Sequence, residues 1–144
     1  NPWRARGMMG YIGKTTGDAD YLLVMQRREA VRVGVLKAMA DQKLDAIAYA
    51  TFDQEPALIA EDVLTNPRPR DGYGRGDNRG LSPTTGFPAL TLPAGFTSND
   101  LPVGLELLGR PFSEALLLGL GYSFEQGTKY RRPPKTAPAL VPSR

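Results

Sequence analysis

GLSPTTGFPALTLPAGFTSNDLPVGLELLGR, from Gly80 to Arg110, is the stretch on which the fold turns. A turn of Ser82, Pro83, Thr84, Thr85 and Gly86 feeds an apolar run from Phe87 to Phe96. A polar break, Thr97 to Asp100, reverses the chain into a second apolar run, Val103 to Leu108. Two runs of strand length bounded by Gly, Pro, Asn and Asp predict paired strands near 89–95 and 103–108. Pro88 and Pro93 lack the amide hydrogen that a ladder needs, so the first strand is expected to be short, bulged or at a sheet edge. Along the second, Val103, Leu105 and Leu107 alternate with Gly104, Glu106 and Leu108, which gives one apolar face and one mixed face.

Downstream, Pro111 to Glu114 opens a helix over about 113–126, with Ser113 as N-cap and Glu114 at the positive end of the dipole. Leu116, Leu117, Leu120 and Phe124 form its expected buried face. Gly119 and Gly121 each cost about 1 kcal/mol against Ala in a helix interior, a cost usually tolerated for close packing, here against the sheet. Gly127 is the expected stop. From Thr128 to Arg144 four prolines predict an extended Pro-rich tail on the surface.

Upstream, a helix over 19–41 is predicted, capped by Asp18 or Asp20. Its buried stripe is Tyr21, Val24, Val31, Val35 and Met39, interrupted by Arg28, which reads as a solvated or snorkelling arginine. Leu44 to Phe52 reads as a short, largely buried strand, placed at 45–52. Pro56 to Leu64 is a possible short helix within a polar, irregular segment. Residues 1–17 read as an irregular lead-in whose apolar cluster is Met8, Met9, Tyr11 and Ile12. The whole is an α/β chain, 1–144, in one segment without internal repeats.

Composition narrows the chemistry. The chain of 144 residues is long enough to bury roughly two-thirds of its unfolded surface. A net charge of +3, with acids interleaved, does not compel a nucleic-acid or membrane partner, and neither is expected. With no Cys there are no disulfides, thiolate metal sites or cysteine nucleophiles; with no His, Ser-His-Asp hydrolysis and the usual zinc sites are excluded within this chain. No apolar run reaches the ~20 residues that span a bilayer, and a cytoplasmic location is expected. The start at Asn1-Pro2-Trp3, without Met, suggests an internal cut.

Asn66 to Gly80 interleaves arginine with glycine. Its glycines do not fit G-x-G-x-x-G and no strand leads into them, which argues against a phosphate cradle. Tyr73 is the single aromatic available for stacking on RNA, and Arg75-Gly76-Asp77 matches an adhesion tripeptide that also arises by chance. A surface loop at 66–80 is the reading that remains, with a substrate-entry lip as the functional variant. Elsewhere, hydroxyls at Ser82, Thr84 and Thr85 lie in a turn that suits exposure, but no lysine stands beside them, and no set of residues here forms a catalytic constellation.

From Phe87 to Gln126 the chain closely resembles the C-terminal part of the amidase signature family. A "G-x-P-A-x-x-x-P-A-G" strand is carried by Gly86, Pro88, Ala89, Pro93, Ala94 and Gly95. A "L-P-V-G-L-Q" strand is carried by Leu101 to Leu105, with Glu106 where the family usually has Gln. A "G-x-P-F-x-E-x-x-L-L" helix follows at Gly109, Pro111, Phe112, Glu114, Leu117 and Leu118. The resemblance implies a mixed β-sheet flanked by helices and an enzyme that hydrolyses carboxylic amides by a Ser-cis-Ser-Lys triad. The glycine-rich serine loop and its lysine precede the matched region in that family and are absent here, so this chain by itself is expected to be inactive and to hold no catalytic residue, cofactor or metal. Its implied role is to complete the sheet and build one wall of the acyl pocket, with the N-terminal remainder of the amidase as partner and a small amide as substrate. Ser82, Thr84, Thr85, Gly86 and Phe87 are the expected substrate-binding residues, against the rival reading of the turn as a plain strand initiator. Two other functions stay open: a non-catalytic module that binds protein or RNA through the Arg/Gly loop, and a segment of the tRNA-dependent amidotransferases, from their A-type chain.

Overall fold

A computed structural model describes residues 2–53, 55, 59, 61–62, 65 and 78–134. Their order is α1 (Pro2–Met9), α2 (Ala19–Asp41), β1 (Ala46–Ala50), a 3-10 turn (Asn78–Gly80), α3 (Leu81–Thr85), β2 (Ala89–Phe96), β3 (Pro102–Gly109) and α4 (Glu114–Thr128). The expected short helix at 56–64, the Arg/Gly loop up to Asp77 and the tail beyond Pro134 lie largely or wholly outside the described residues.

The three strands form one sheet in the order β1-β3-β2, and both pairings are antiparallel. The mixed pairing that the family resemblance implies is therefore not found among the described strands. β2 lies at the edge, and its register shifts between Pro93 and Gly95. The two prolines thus stand where a missing amide hydrogen disturbs the ladder least. The reversal is closed by Thr97, whose amide donates to the Leu101 carbonyl at 2.8 Å and whose Oγ1 accepts from the amides of Asn99 and Leu101. β1 is shorter than expected and only half-buried, because in this sheet it is the other edge.

Helix α4 packs on β2 and β3. Leu92, Leu107 and Leu117 make the core there, flanked by Ala46, Leu90, Leu105 and Phe124. The apolar face foreseen for β3 is this one. On α4 the buried side differs from the expectation: Leu117 and Gly121 are buried and Phe124 is half-buried, while Leu116 and Leu120 are exposed. Gly121 sets the helix against the sheet, since a Cβ there would lie 2.6 Å from Leu90 Cδ2 and 3.2 Å from Leu92 Cδ2. Gly119 meets nothing within 4 Å. Close packing thus accounts for one of the two helix glycines. Gly127 does not stop the helix; α4 runs to Thr128, whose Oγ1 donates to the Phe124 carbonyl, and Lys129 caps it in the left-handed region. Ser113 occupies the N-cap, but its hydroxyl donates to the Arg110 carbonyl instead of capping.

Helix α2 spans the predicted residues. Asp18 sits at its N-cap without capping it, because its carboxylate accepts from the amide and hydroxyl of Thr15. The expected stripe is not buried: of its members only Met39 is, and Val24 is 58 % exposed. The periodicity marks an apolar face correctly, yet within the described residues few side chains cover it. The lead-in is not wholly irregular either, since α1 occupies Pro2–Met9, and Met8, Met9, Tyr11 and Ile12 are exposed. At the far end, the start of the tail returns over the hairpin: Arg132 pairs with Asp100 and stacks over the Phe96 ring at 3.6 Å. None of the described helices is long and apolar enough to cross a membrane.

Candidate functional site

The turn from Ser82 to Phe87 is a short helix, α3, ended by Gly86 in the left-handed conformation (φ 71°), which glycine adopts without a steric penalty. Its hydroxyls are spent locally. Ser82 Oγ donates to the Phe87 carbonyl at 2.8 Å. Thr85 Oγ1 donates to the Leu81 carbonyl at 2.7 Å and accepts from the Phe87 amide at 3.2 Å. Thr85 and Phe87 are buried, whereas Thr84 and Gly86 face outward. Of the five residues expected to meet a substrate, three therefore form the frame and two form the accessible surface.

Two arginines of α2 grip this turn from 53 and 56 residues away in sequence. Arg28 Nε donates to the Thr84 carbonyl at 2.6 Å, and Arg32 Nη1 donates to the Thr85 carbonyl. The Arg32 guanidinium also lies 4.9 Å from the centre of the Phe87 ring, and its Nε pairs with Glu29 Oε2 at 3.2 Å. The two arginines are one helical turn apart, so a single face of α2 reaches both carbonyls. Sequence reasoning takes Arg28 for a solvated interruption and passes over Arg32. No local signal could correct this, because both partners are backbone carbonyls brought close only by the fold.

A second polar cluster crosses the sheet. Glu106, on the central strand and 7 % exposed, is paired in register with Tyr49 on β1 and Thr91 on β2. Tyr49 Oη donates to Glu106 Oε1 at 2.7 Å, and Thr91 Oγ1 donates to Oε2 at 3.4 Å. A buried carboxylate is tolerable when hydroxyls satisfy it in this way. Burial raises the Tyr49 phenol well above its ordinary pKa, and the hydrogen bond to the Glu106 carboxylate and its charge push it further in the same direction.

Two concave regions flank these groups. A cleft of about 380 Å³ at the hairpin end of the sheet is lined by Phe52, Asp53, Glu55, Thr97, Leu101 and Val103. The turn at Ser82–Phe87 lies beyond the opposite end of β2, so this cleft does not belong to it. A groove of about 560 Å³ runs beside the start of α2, lined by Tyr11, Lys14, Asp18, Asp20, Tyr21 and Val24. Lys14 and Asp20 form an ion pair at 2.9 Å, and through their hydrogen bond each favours the charged form of the other: Lys14 is raised and Asp20 lowered. Val24 precedes Arg28 by one helical turn, so the two residues lie on the same side of α2.

The family model for amidases matches residues 2–118, most of the chain. The chain belongs to the amidase family. It is 64 % identical over 142 residues to the A-type chain of the glutamyl-tRNA(Gln) amidotransferase of Moorella thermoacetica, covering 90 % of this chain and 26 % of that protein. It is 32 % identical over 138 residues to the protein of the same name from Methanosarcina barkeri, covering 93 % and 28 %. Among solved structures, an amidase family protein from Bacillus anthracis str. Ames superposes with a TM-score of 0.59 at 29 % identity, over 85 % of this chain and 20 % of that one. The native peptide amidase from Stenotrophomonas maltophilia gives a TM-score of 0.60 at 29 % identity, over 84 % and 23 %. This amidase segment thus spans about a quarter of the length of the curated relatives it matches.

Proposed function

We propose that this amidase segment completes the sheet and one wall of the substrate pocket of a carboxylic-amide hydrolase, whose Ser-cis-Ser-Lys triad is carried by the remainder of the enzyme. The observation that carries this is the match over residues 2–118 in a chain only about a quarter as long as its relatives. The exposed apolar residues of α2 and α4, among them Leu22, Val24, Leu116 and Leu118, support it, because such surface is costly unless something covers it. In this reading Thr84 and Gly86 present their surfaces to the substrate, and Ser82, Thr85 and Phe87 hold them in place. The segment alone is inactive, needs no cofactor, and works in the cytoplasm.

The test is kinetic, on the full-length enzyme with a short and a long acyl amide. Thr84→Val is expected to change the ratio of kcat/KM for the two amides several-fold, roughly 1 kcal/mol or more in transition-state binding, with little change in Tm. Leu117→Ala, in the core, is expected to lower Tm and leave the ratio alone. The reverse pattern makes the turn a strand initiator.

One observation favours a second reading. At 64 % identity, the Moorella thermoacetica relative is named as the A-type chain of a glutamyl-tRNA(Gln) amidotransferase, so in this reading the complete protein serves as one part of such an amidotransferase rather than as a free-standing hydrolase. Amide turnover by the purified full-length protein without tRNA or further protein chains separates the two.

A further inference from the structure

Residues 110–113 make a tight turn between β3 and α4. The Ser113 amide donates to the Arg110 carbonyl at 3.2 Å, Pro111 stands at the second position, and Phe112, at the third, has a φ of 62°. This is the pattern of a type II turn, whose third position favours glycine because a side chain there crowds the backbone. Among the described residues, Lys43, Asp100 and Lys129 are the other non-glycines with positive φ. Lys43 follows α2, Lys129 caps α4, and aspartate tolerates the region. Phe112 alone of the four is bulky and apolar. Its ring gains nothing within this segment: it is 94 % exposed, where Phe52, the next most exposed phenylalanine, is 52 % exposed. Strain and exposure combined in one residue persist where something else compensates for them.

We propose that Phe112 is an anchor by which this segment docks into an apolar pocket on the remainder of the enzyme. The proposal rests on the reading that a longer amidase carries this segment. The remainder is the occupant because the chain covers only 26 % and 28 % of two relatives, and no described residue covers the ring. The turn is built to hold the ring still. Pro111 fixes its own φ. The Arg110 carbonyl accepts from Ser113 Oγ at 2.7 Å as well as from the Ser113 amide, and Arg110 Nη2 donates to the Leu44 carbonyl at 3.2 Å, which ties the turn to the link between α2 and β1. Gly109 lies so close behind that a Cβ there would collide with Ser113 Oγ. An aromatic ring displayed on a rigid support loses little freedom on docking, as a central contact of an interface requires. Leu44 and Leu116, the latter in the first turn of α4, are exposed as well, so the surface around the turn is not purely polar.

The experiment measures Tm of the full-length enzyme carrying Phe112→Ala or Phe112→Gly. Alanine removes the ring and leaves the positive φ strained, whereas glycine removes ring and strain together. With the ring anchored, Phe112→Ala is expected to lower Tm by roughly 4 °C or more, and Phe112→Gly to recover only part of the loss. Wild-type Tm in Phe112→Ala, with a higher Tm in Phe112→Gly, overturns the proposal, because only the strain then counts. Phe112→Trp decides if those variants do not fold. It keeps an aromatic ring on the same turn, and its added emission is expected to be blue-shifted and shielded from iodide in the full-length enzyme. The emission of a solvent-exposed indole overturns the proposal. So does shielding that grows with protein concentration, which means a second copy, or shielding lost on deleting residues 135–144, which means the segment's own tail. None of these readouts depends on turnover. A full-length protein that hydrolyses no amide yet shields the introduced indole therefore supports the anchor and overturns the hydrolase reading alone.

Discussion

At the scale of single residues, Glu106 and Tyr49 make the clearest physical claim. The Glu106 carboxylate is buried in the central strand between hydroxyls from both neighbouring strands, so it ties the sheet together across its width. Tyr49 keeps its proton in the folded protein at pH values where the unfolded chain, with an ordinary phenol near about 10, has lost it. Its contribution to stability is therefore intact below about pH 10 and declines as the pH rises beyond it. Denaturant midpoints of the full-length protein from about pH 8 to 11 should show this alkaline decline, and Tyr49→Phe should reduce it. Tyr49→Phe should also destabilise the protein at neutral pH by about 1.5–3 kcal/mol, the scale of a hydrogen bond to a charged group. Glu106→Gln keeps an acceptor for Tyr49 and offers Thr91 a donor, so it should shift stability by less than about 1.5 kcal/mol. A loss in Glu106→Gln as large as that in Tyr49→Phe would mean that the charge matters as well as the hydrogen bonding.

Among the elements, α4 separates packing from propensity. Gly119→Ala adds a methyl to open space and removes backbone freedom from the unfolded chain, and is expected to raise stability by about 0.4–1 kcal/mol. Gly121→Ala drives a methyl to 2.6 Å from Leu90 Cδ2 and is expected to lower it by about 1–3 kcal/mol despite the same gain in propensity. Chemical denaturation of the two variants checks this; equal effects would mean that α4 does not sit against β2 as described. Helix α2 carries a different lesson. Its arginines reach two carbonyls of α3, so the orientation of the α3 turn depends on a helix more than 50 residues earlier.

For the molecule as a whole, the apolar faces of α2 and α4 are the dominant fact. Leu22, Val24 and Val33 on one helix and Leu116, Leu118 and Tyr122 on the other are exposed in a segment that spans a quarter of its relatives' length. The isolated 144-residue chain is therefore expected to self-associate, eluting well ahead of a 15.7 kDa monomer, and to hydrolyse no amide. A monodisperse monomer with measurable turnover, lost on replacing Ser82 or Thr84, would overturn both expectations.

What the sequence by itself determined is what local chemistry controls. The limits of α2, the hairpin between Ala89 and Gly109, the disturbed ladder at Pro93 and the glycine-set packing of α4 all follow from periodicity, missing amide hydrogens and small side chains. The family was legible for the same reason, since its glycines and prolines stand at fixed positions along the chain. Only the tertiary structure decided which apolar faces are covered, because periodicity marks a face without supplying what packs on it; Val24 and Met39 lie on one expected stripe with opposite fates. It also decided the make-up of the candidate site. Thr84 and Thr85 look alike in sequence, but one is turned outward and the other has spent its hydroxyl inside the turn. Arg28 and Arg32 acquire their partners only when the fold brings residues 53 and 56 positions away beside them, and nothing local in the sequence encodes that meeting.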